Sequence, residues 1–260
     1  MPSAARQLSF LLALLLPGNI FAQILPPPVQ LMDLAEAVIA GTVRREDIDF
    51  LGSAAQAAVA ALGDPASVLV HEGQRLFLMG FAELGLAATG DEVMDPRAAR
   101  ATAERAEALF EAAASRAAEA NAMRTTSEGF RVLSDGYNQL LKMRSIPYKM
   151  THAGGARRAA ERALELDPAN PLAHVAVAAF LTSAPGIVGG DAALGLHHAA
   201  TALSLAGSSP YVRFVASVWM AKGAAATGDV ARARASLDQA RRIYPDSWWL
   251  REIEEELDLR

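Results

Sequence analysis

Apolar residues recur along this chain at helical spacing, and almost nowhere do they alternate as a half-buried strand would. Leu31, Leu34, Ala35, Val38 and Ile39 form one stripe, with Gly41 placed to end it. Ile48, Leu51, Ala55, Ala58 and Leu62 form a second, which stops at Gly63-Asp64 with Pro65 beyond. A longer stripe runs through Val70, Leu76, Phe77, Phe81 and Leu84 toward Gly90. Ala98 to Ala122 is built from Ala, Glu and Arg, all strong helix formers, with Leu109 and Phe110 as its largest candidates for burial. After Thr126 a further helix carries Phe130, Leu133, Tyr137, Leu140 and Leu141. The pattern predicts an all-α chain of about ten or eleven helices of ordinary length.

The second half repeats itself. Ala156, Ala163 and Pro168 are spaced by seven and five residues, and Ala233, Ala240 and Pro245 repeat those spacings. Small residues seven apart share one helix face and let a neighbouring helix approach closely, while the proline stops the helix that carries them. Gly228-Asp229 precedes the second set, where a tight turn joins two helices. This is the grammar of the 34-residue tetratricopeptide repeat, so the expected architecture is a tetratricopeptide-like helical-hairpin array or helical bundle. The pattern is clearest from Phe214 to Pro245, with Ser217 standing where a large aromatic is usual, and another copy spans about Tyr137 to Pro168. A degenerate copy lies between them, with Gly190-Asp191 at its turn and Ala202 at its close contact. It is longer than the repeat requires, and the excess falls on Ala184-Pro185-Gly186-Ile187-Val188-Gly189-Gly190-Asp191. A glycine-rich stretch holding Ile187 and Val188 either lines a groove or serves as a long corner between helices.

The N-terminus reads differently. Arg6 precedes the apolar run Leu8 to Leu16, Pro17-Gly18 breaks it, and Ala22 offers a small residue before a cut. Nine residues rise only about 14 Å as a helix, too little for a hydrocarbon core of about 30 Å. Residues 1–22 are therefore expected to be a cleaved signal peptide, and residues 23–30, with Pro26-Pro27-Pro28, a stiff Pro-rich leader. Residues 31–125 would form an N-terminal helical region, and 126–260 the degenerate repeats with a C-terminal capping helix. The expected location is the periplasm, with peripheral membrane association allowed.

Composition narrows the chemistry. With 52% hydrophobic and 20% charged residues the chain is not a disordered polyelectrolyte, and a net charge of -5 argues against a nucleic-acid platform. The absence of cysteine excludes disulfides, thiolate metal sites and cysteine nucleophiles. Gly189-Gly190-Asp191 lacks the spacing of a phosphate loop and follows a helix rather than a strand. His197 and His198 point about 100° apart on a helix, and His71, His152 and His174 are isolated in sequence, so no metal site is expected. His174 is singled out because it opens an otherwise apolar helix. Glu252, Glu254, Glu255 and Glu256 read as a solvated face beyond Trp248-Trp249, which would close the hydrophobic end of the array. No catalytic constellation, and hence no enzyme and no cofactor, is expected.

The Leu-Asp-Pro-Ala-Asn-Pro-Leu-Ala-His junction at 166–174 and the Ala-Pro-Gly-Ile-Val-Gly-Gly-Asp turn at 184–191, in an exported helical-repeat chain, resemble the T-component family of TRAP-type transporters. They are also similar to the related periplasmic helical component of bacterial sterol transport. The likeness covers mainly residues 126–250, and the chain departs from it in lacking a lipobox cysteine. The resemblance implies a helical bundle that associates with a periplasmic binding protein or holds a hydrophobic ligand, sterol-like or another lipid. Leu141, Met143, Ile146, Tyr148 and Met150 make a soft apolar patch around Pro147, suited to a lipophilic cavity or to ordinary core. The candidate ligand-contacting residues are Tyr148, Phe180, Ile187, Val188 and Trp219. The alternative is a general tetratricopeptide scaffold in the cell envelope that grips a partner protein.

Overall fold

Each apolar stripe buries itself against its neighbours as a helix, and the turn residues end the helices where their chemistry requires. The computed structural model describes residues 28–41, 44–89 and 96–258. The expected signal segment, and residues 23–27 of the expected leader, lie outside the described residues. The first helix, α1 (Val29–Ala40), already begins inside the stretch read as leader: Pro28 takes the N-cap position, where a missing amide costs nothing. It buries Leu31, Leu34, Ala35, Val38 and Ile39 and ends at Gly41, whose φ of 77° is the left-handed cap.

Helices α2 (Arg45–Ala60), α3 (Pro65–Thr89) and α4 (Pro96–Met123) follow, with Phe110 of α4 fully buried. The Glu83 carboxylate of α3 clamps this region, accepting from Arg45 of α2 at 2.8 and 3.0 Å and from Arg105 of α4 at 3.1 Å. Next come α5 (Ser127–Met143), α6 (Ile146–Leu166), α7 (Pro171–Ser183), a single 3₁₀ turn (Gly186–Val188) and α8 (Ala192–Leu205). The chain closes with α9 (Pro210–Ala226), α10 (Val230–Ile243) and α11 (Trp248–Glu256). These are eleven helices and no strand among the described residues.

Consecutive helices pack most heavily on one another, α3 on α4, α5 on α6, α7 on α8 and α9 on α10, an arrangement consistent with a helical repeat. The repeat alanines carry that packing: Ala156, Ala163, Ala202, Ala233 and Ala240 are all fully buried. Helices α6 and α10 each stop two residues before their proline, at Leu166 and Ile243. Ser217, in the place of the aromatic, is buried and donates back to the Arg213 carbonyl at 2.7 Å.

The array is not open-ended. The expected cap, α11, lies against α1 and α3 as well as α9. Trp248 donates its indole N–H to the Val38 carbonyl at 2.9 Å, and its ring sits 5.0 Å from that of Phe81. Trp249 meets Phe81 edge-on at 5.2 Å and also approaches Phe214 and Trp219. The tryptophan pair therefore joins the last helix to the first rather than merely covering an end. One core cluster runs from Leu31 to Ile253, so the break between α4 and α5 does not divide the core.

Candidate functional site: an apolar cavity with one polar wall

Curling the array leaves a cavity of about 580 Å³ inside it, a size suited to a small-molecule ligand. Its walls are mostly apolar. Phe77 and Phe81 come from α3, Val175, Ala179 and Phe180 from α7, Tyr211, Val215 and Trp219 from α9, and Trp249 from α11. The 184–191 turn forms part of the rim. Gly190 bonds to the Pro185 carbonyl at 3.1 Å, Asp191 bonds to the Leu181 carbonyl at 2.9 Å, and the Asp191 side chain caps α8 through the Leu194 amide. A Cβ on Gly190 would stand 1.7 Å from the Ala184 carbonyl oxygen, so only glycine allows this tight return. The turn holds Ile187 almost wholly exposed at 96%, and Ile146 and Met150 of α6 are exposed at 71% and 76%. All three line the cavity, and together with Val188 they make an apolar lip at its mouth.

One wall is polar. Arg131, Asp135, Asn138, Gln139 and Lys142 fall at i, i+4, i+7, i+8 and i+11 on α5 and all line the cavity, a stripe about 16 Å long. Arg131 is buried and ion-paired with both Glu128 and Asp135. Burial pushes the Asp135 carboxyl up to about 6, against the pull of Arg131. Lys142 is exposed to the space it lines, yet the protein crowded around it, and then Lys222, lower its ammonium to about 8; Glu252 and Glu256 act in the opposite sense. Lys142 lies 5.6 Å from the centre of the Trp219 ring, and Lys222 lies 5.5 Å from it. Lys222 is bound by both oxygens of Glu256 at 2.7 Å, whereas the Lys142 side chain has no hydrogen bond or ion pair with any described residue.

Of the five residues proposed from sequence, the structure brings Phe180, Ile187, Val188 and Trp219 to the cavity wall and leaves Tyr148 off it. The reason is helical phase. Ile146, Lys149, Met150 and Ala153 share the cavity face of α6, and Tyr148 is rotated about 200° from Ile146. Its ring stacks on His152 at 3.9 Å and lies under the Arg144 guanidinium at 4.7 Å.

The polar wall is what sequence reasoning missed. Phe130, Leu133 and Tyr137 are the apolar residues of α5 that the sequence brings forward, yet they are only half-buried, whereas Arg131 and Ser134 are buried. The signal was present as a helical stripe of Arg, Asp, Asn, Gln and Lys. It reads as a solvated face unless one knows that α5 is surrounded by α3, α4, α6 and α7.

The histidines isolated in sequence are not all isolated in space. His174 and His198 place their Nδ1 atoms 3.0 Å apart, bridging α7 and α8. Among the described residues no three His, Cys, Asp or Glu side chains are grouped to hold a metal ion. The acidic run of α11 is largely exposed, as expected, with Glu254 paired to Arg241. No described helix is long and apolar enough to cross a membrane. The chain matches no protein-family model and no curated protein.

Proposed function

We propose that this helical array is an interaction scaffold whose seat is the internal cavity, and that it works by holding a lipophilic molecule rather than by transforming it. The observation that carries the reading is the cavity itself: a mostly apolar space of about 580 Å³, open at one side, in a bundle that is otherwise closely packed. Burial of an apolar ligand there is worth about 25 cal/mol per Å² of surface removed from water. Ile146, Met150 and Ile187, exposed and lining the cavity, offer such a ligand apolar surface at its mouth. The finer reading, taken from the family resemblance, is a periplasmic protein beside a transporter, receiving or passing on a sterol-like or other lipid.

The second reading is a protein-binding scaffold, favoured by the stacking of consecutive helix pairs and by the same exposed lip, which a partner such as a periplasmic binding protein would cover. Native mass spectrometry of the full chain purified from its own host separates the two. A stoichiometric lipid adduct, lost in a Val215→Trp variant that fills the cavity, is the expected result. An empty protein that instead captures a defined protein partner through Ile187 overturns the ligand reading and leaves the scaffold.

A further inference from the structure

We propose that the occupant of the cavity is an amphiphile with an anionic head group, its apolar body lying between α7 and α9 and its head against Lys142. The proposal rests on the ligand reading above and adds the charge of the ligand to it.

The charge of the wall favours an anion. The whole chain carries a net charge of -5, yet the cavity is lined by Arg131, Lys142, Lys149 and a single carboxylate, Asp135. Arg131 is already neutralised by Glu128 and Asp135, so it offers little to a ligand. The two lysines remain, and neither side chain is paired with any described residue. Two unpaired ammonium groups and one carboxylate, itself held by Arg131, therefore give the wall of this cavity an excess of positive charge in a protein that is acidic as a whole.

The cost of filling the space points the same way. A neutral apolar ligand would take water away from the Lys142 ammonium and return no hydrogen bond, and a buried unpaired charge is among the most expensive arrangements a protein can hold. Trp219 softens that cost through its ring face but shares it with Lys222. Glu256 is committed to Lys222, and Glu252 lies beyond ion-pair distance of Lys142. An anionic head group resolves the conflict, because the group that enters supplies the partner the ammonium lacks. The amides of Asn138 and Gln139, one turn earlier on the same face, offer further donors to that head. A cationic amphiphile would instead meet Lys149 at the mouth and Lys142 within. Lys149 stands beside Ile146 and Met150 in the lip, where a positive charge draws an anion toward the opening.

Calorimetric titration of the full chain near neutral pH with dodecanoate, dodecyl phosphate and dodecan-1-ol, each below its aggregation concentration, tests the proposal. At least one of the two anions is expected to bind about tenfold more tightly than the alcohol, and the tighter of them names the head group. Lys142→Met is expected to erase that preference while leaving the alcohol's affinity within about twofold, and Lys142→Gln serves the same purpose if the first variant does not fold. Equal affinity for all three probes, or a preference that survives the loss of Lys142, overturns the anionic assignment and leaves the cavity reading standing. Failure of every probe to bind overturns the cavity reading itself.

Discussion

At the scale of single residues, a proton shared between His174 and His198 gives the protein a pH-dependent joint. The Nε2 of His174 lies 3.0 Å from the Pro168 carbonyl, which can only accept, so that nitrogen donates. His174 Nδ1 is then an acceptor, and His198 Nδ1 donates to it across 3.0 Å. A second proton destroys the arrangement. Burial, and then the charges of His174 and His197, hold the His198 imidazole below its ordinary 6.5. Between the folded value and 6.5 the unfolded chain binds more protons than the native one, so this pair's contribution is fully present above pH 6.5 and is lost as the pH falls through that window. Asp135, raised to about 6, acts in the opposite direction over pH 6 to 4, so the wild-type profile alone mixes the two. Comparison with His198→Asn isolates the histidine. Melting temperatures measured at pH 8 and pH 5 are expected to fall further for the wild type than for the variant. Equal falls would show that the histidine pair carries no such linkage.

At the scale of elements, helix ends follow side-chain chemistry closely. Asn170 is the clearest case: its side-chain oxygen accepts from the Leu172 and Ala173 amides at 3.0 and 3.1 Å, and its amide donates to Ser127 at 3.0 Å. One residue thus starts α7 and ties that start to the beginning of α5. Asn170→Ala is expected to cost about 1–2 kcal/mol in urea unfolding, and Asn170→Ser to recover part of it by restoring the cap alone. A cost no larger than a few tenths would mean that water replaces both bonds. Such ends are legible in sequence because capping and helix stopping are local, and so is the stripe of α1, whose five apolar residues are the five that α1 buries. The alanine spacing of α6 and α10 is legible for the same reason. The phase of α2 is less so, since Val59 rather than Ala58 turns inward once Gly52 allows α3 to approach through Met79. The polar face of α5 and the His174–His198 pair were not legible at all. Each depends on which helices stand beside which, and no local pattern records that. The cavity site was half legible: four apolar residues of its wall fall where the excess length and the resemblance point, while Lys142, the residue that gives it polarity, is found only after the helices are assembled.

At the scale of the molecule, what separates this array from an open solenoid is the closure made by α11. In an open array each repeat touches only its neighbours, and the terminal repeats unfold first. Here Trp248 binds α1 and α3, so the ends hold one another and the walls of the cavity cannot spread independently. Gly85 of α3 makes that contact possible, because a Cβ at that position would stand 2.5 Å from Nε1 of Trp248. Gly85→Ala sets two effects against each other. Alanine in a helix is favoured over glycine by about 0.5–1 kcal/mol, but overpacking costs about 1–3 kcal/mol and displacement of Trp248 breaks its bond to Val38. The loss is expected to win, with the protein destabilised by about 1–2 kcal/mol. Gly154→Ala is the control, since its Cβ would meet only the far end of the Arg158 side chain at 3.0 Å, and it should be neutral or mildly stabilising. Closure makes a second, sharper demand. Circular dichroism reports all helices, whereas tryptophan fluorescence reports Trp219, Trp248 and Trp249 alone, all of them on α9 and α11. In the wild type the two unfolding curves should coincide as one transition, and in Gly85→Ala the fluorescence change should come first as α11 releases. Separate transitions already present in the wild type would show that the ends are not coupled, and that the cavity wall built from Trp249 opens without unfolding the rest.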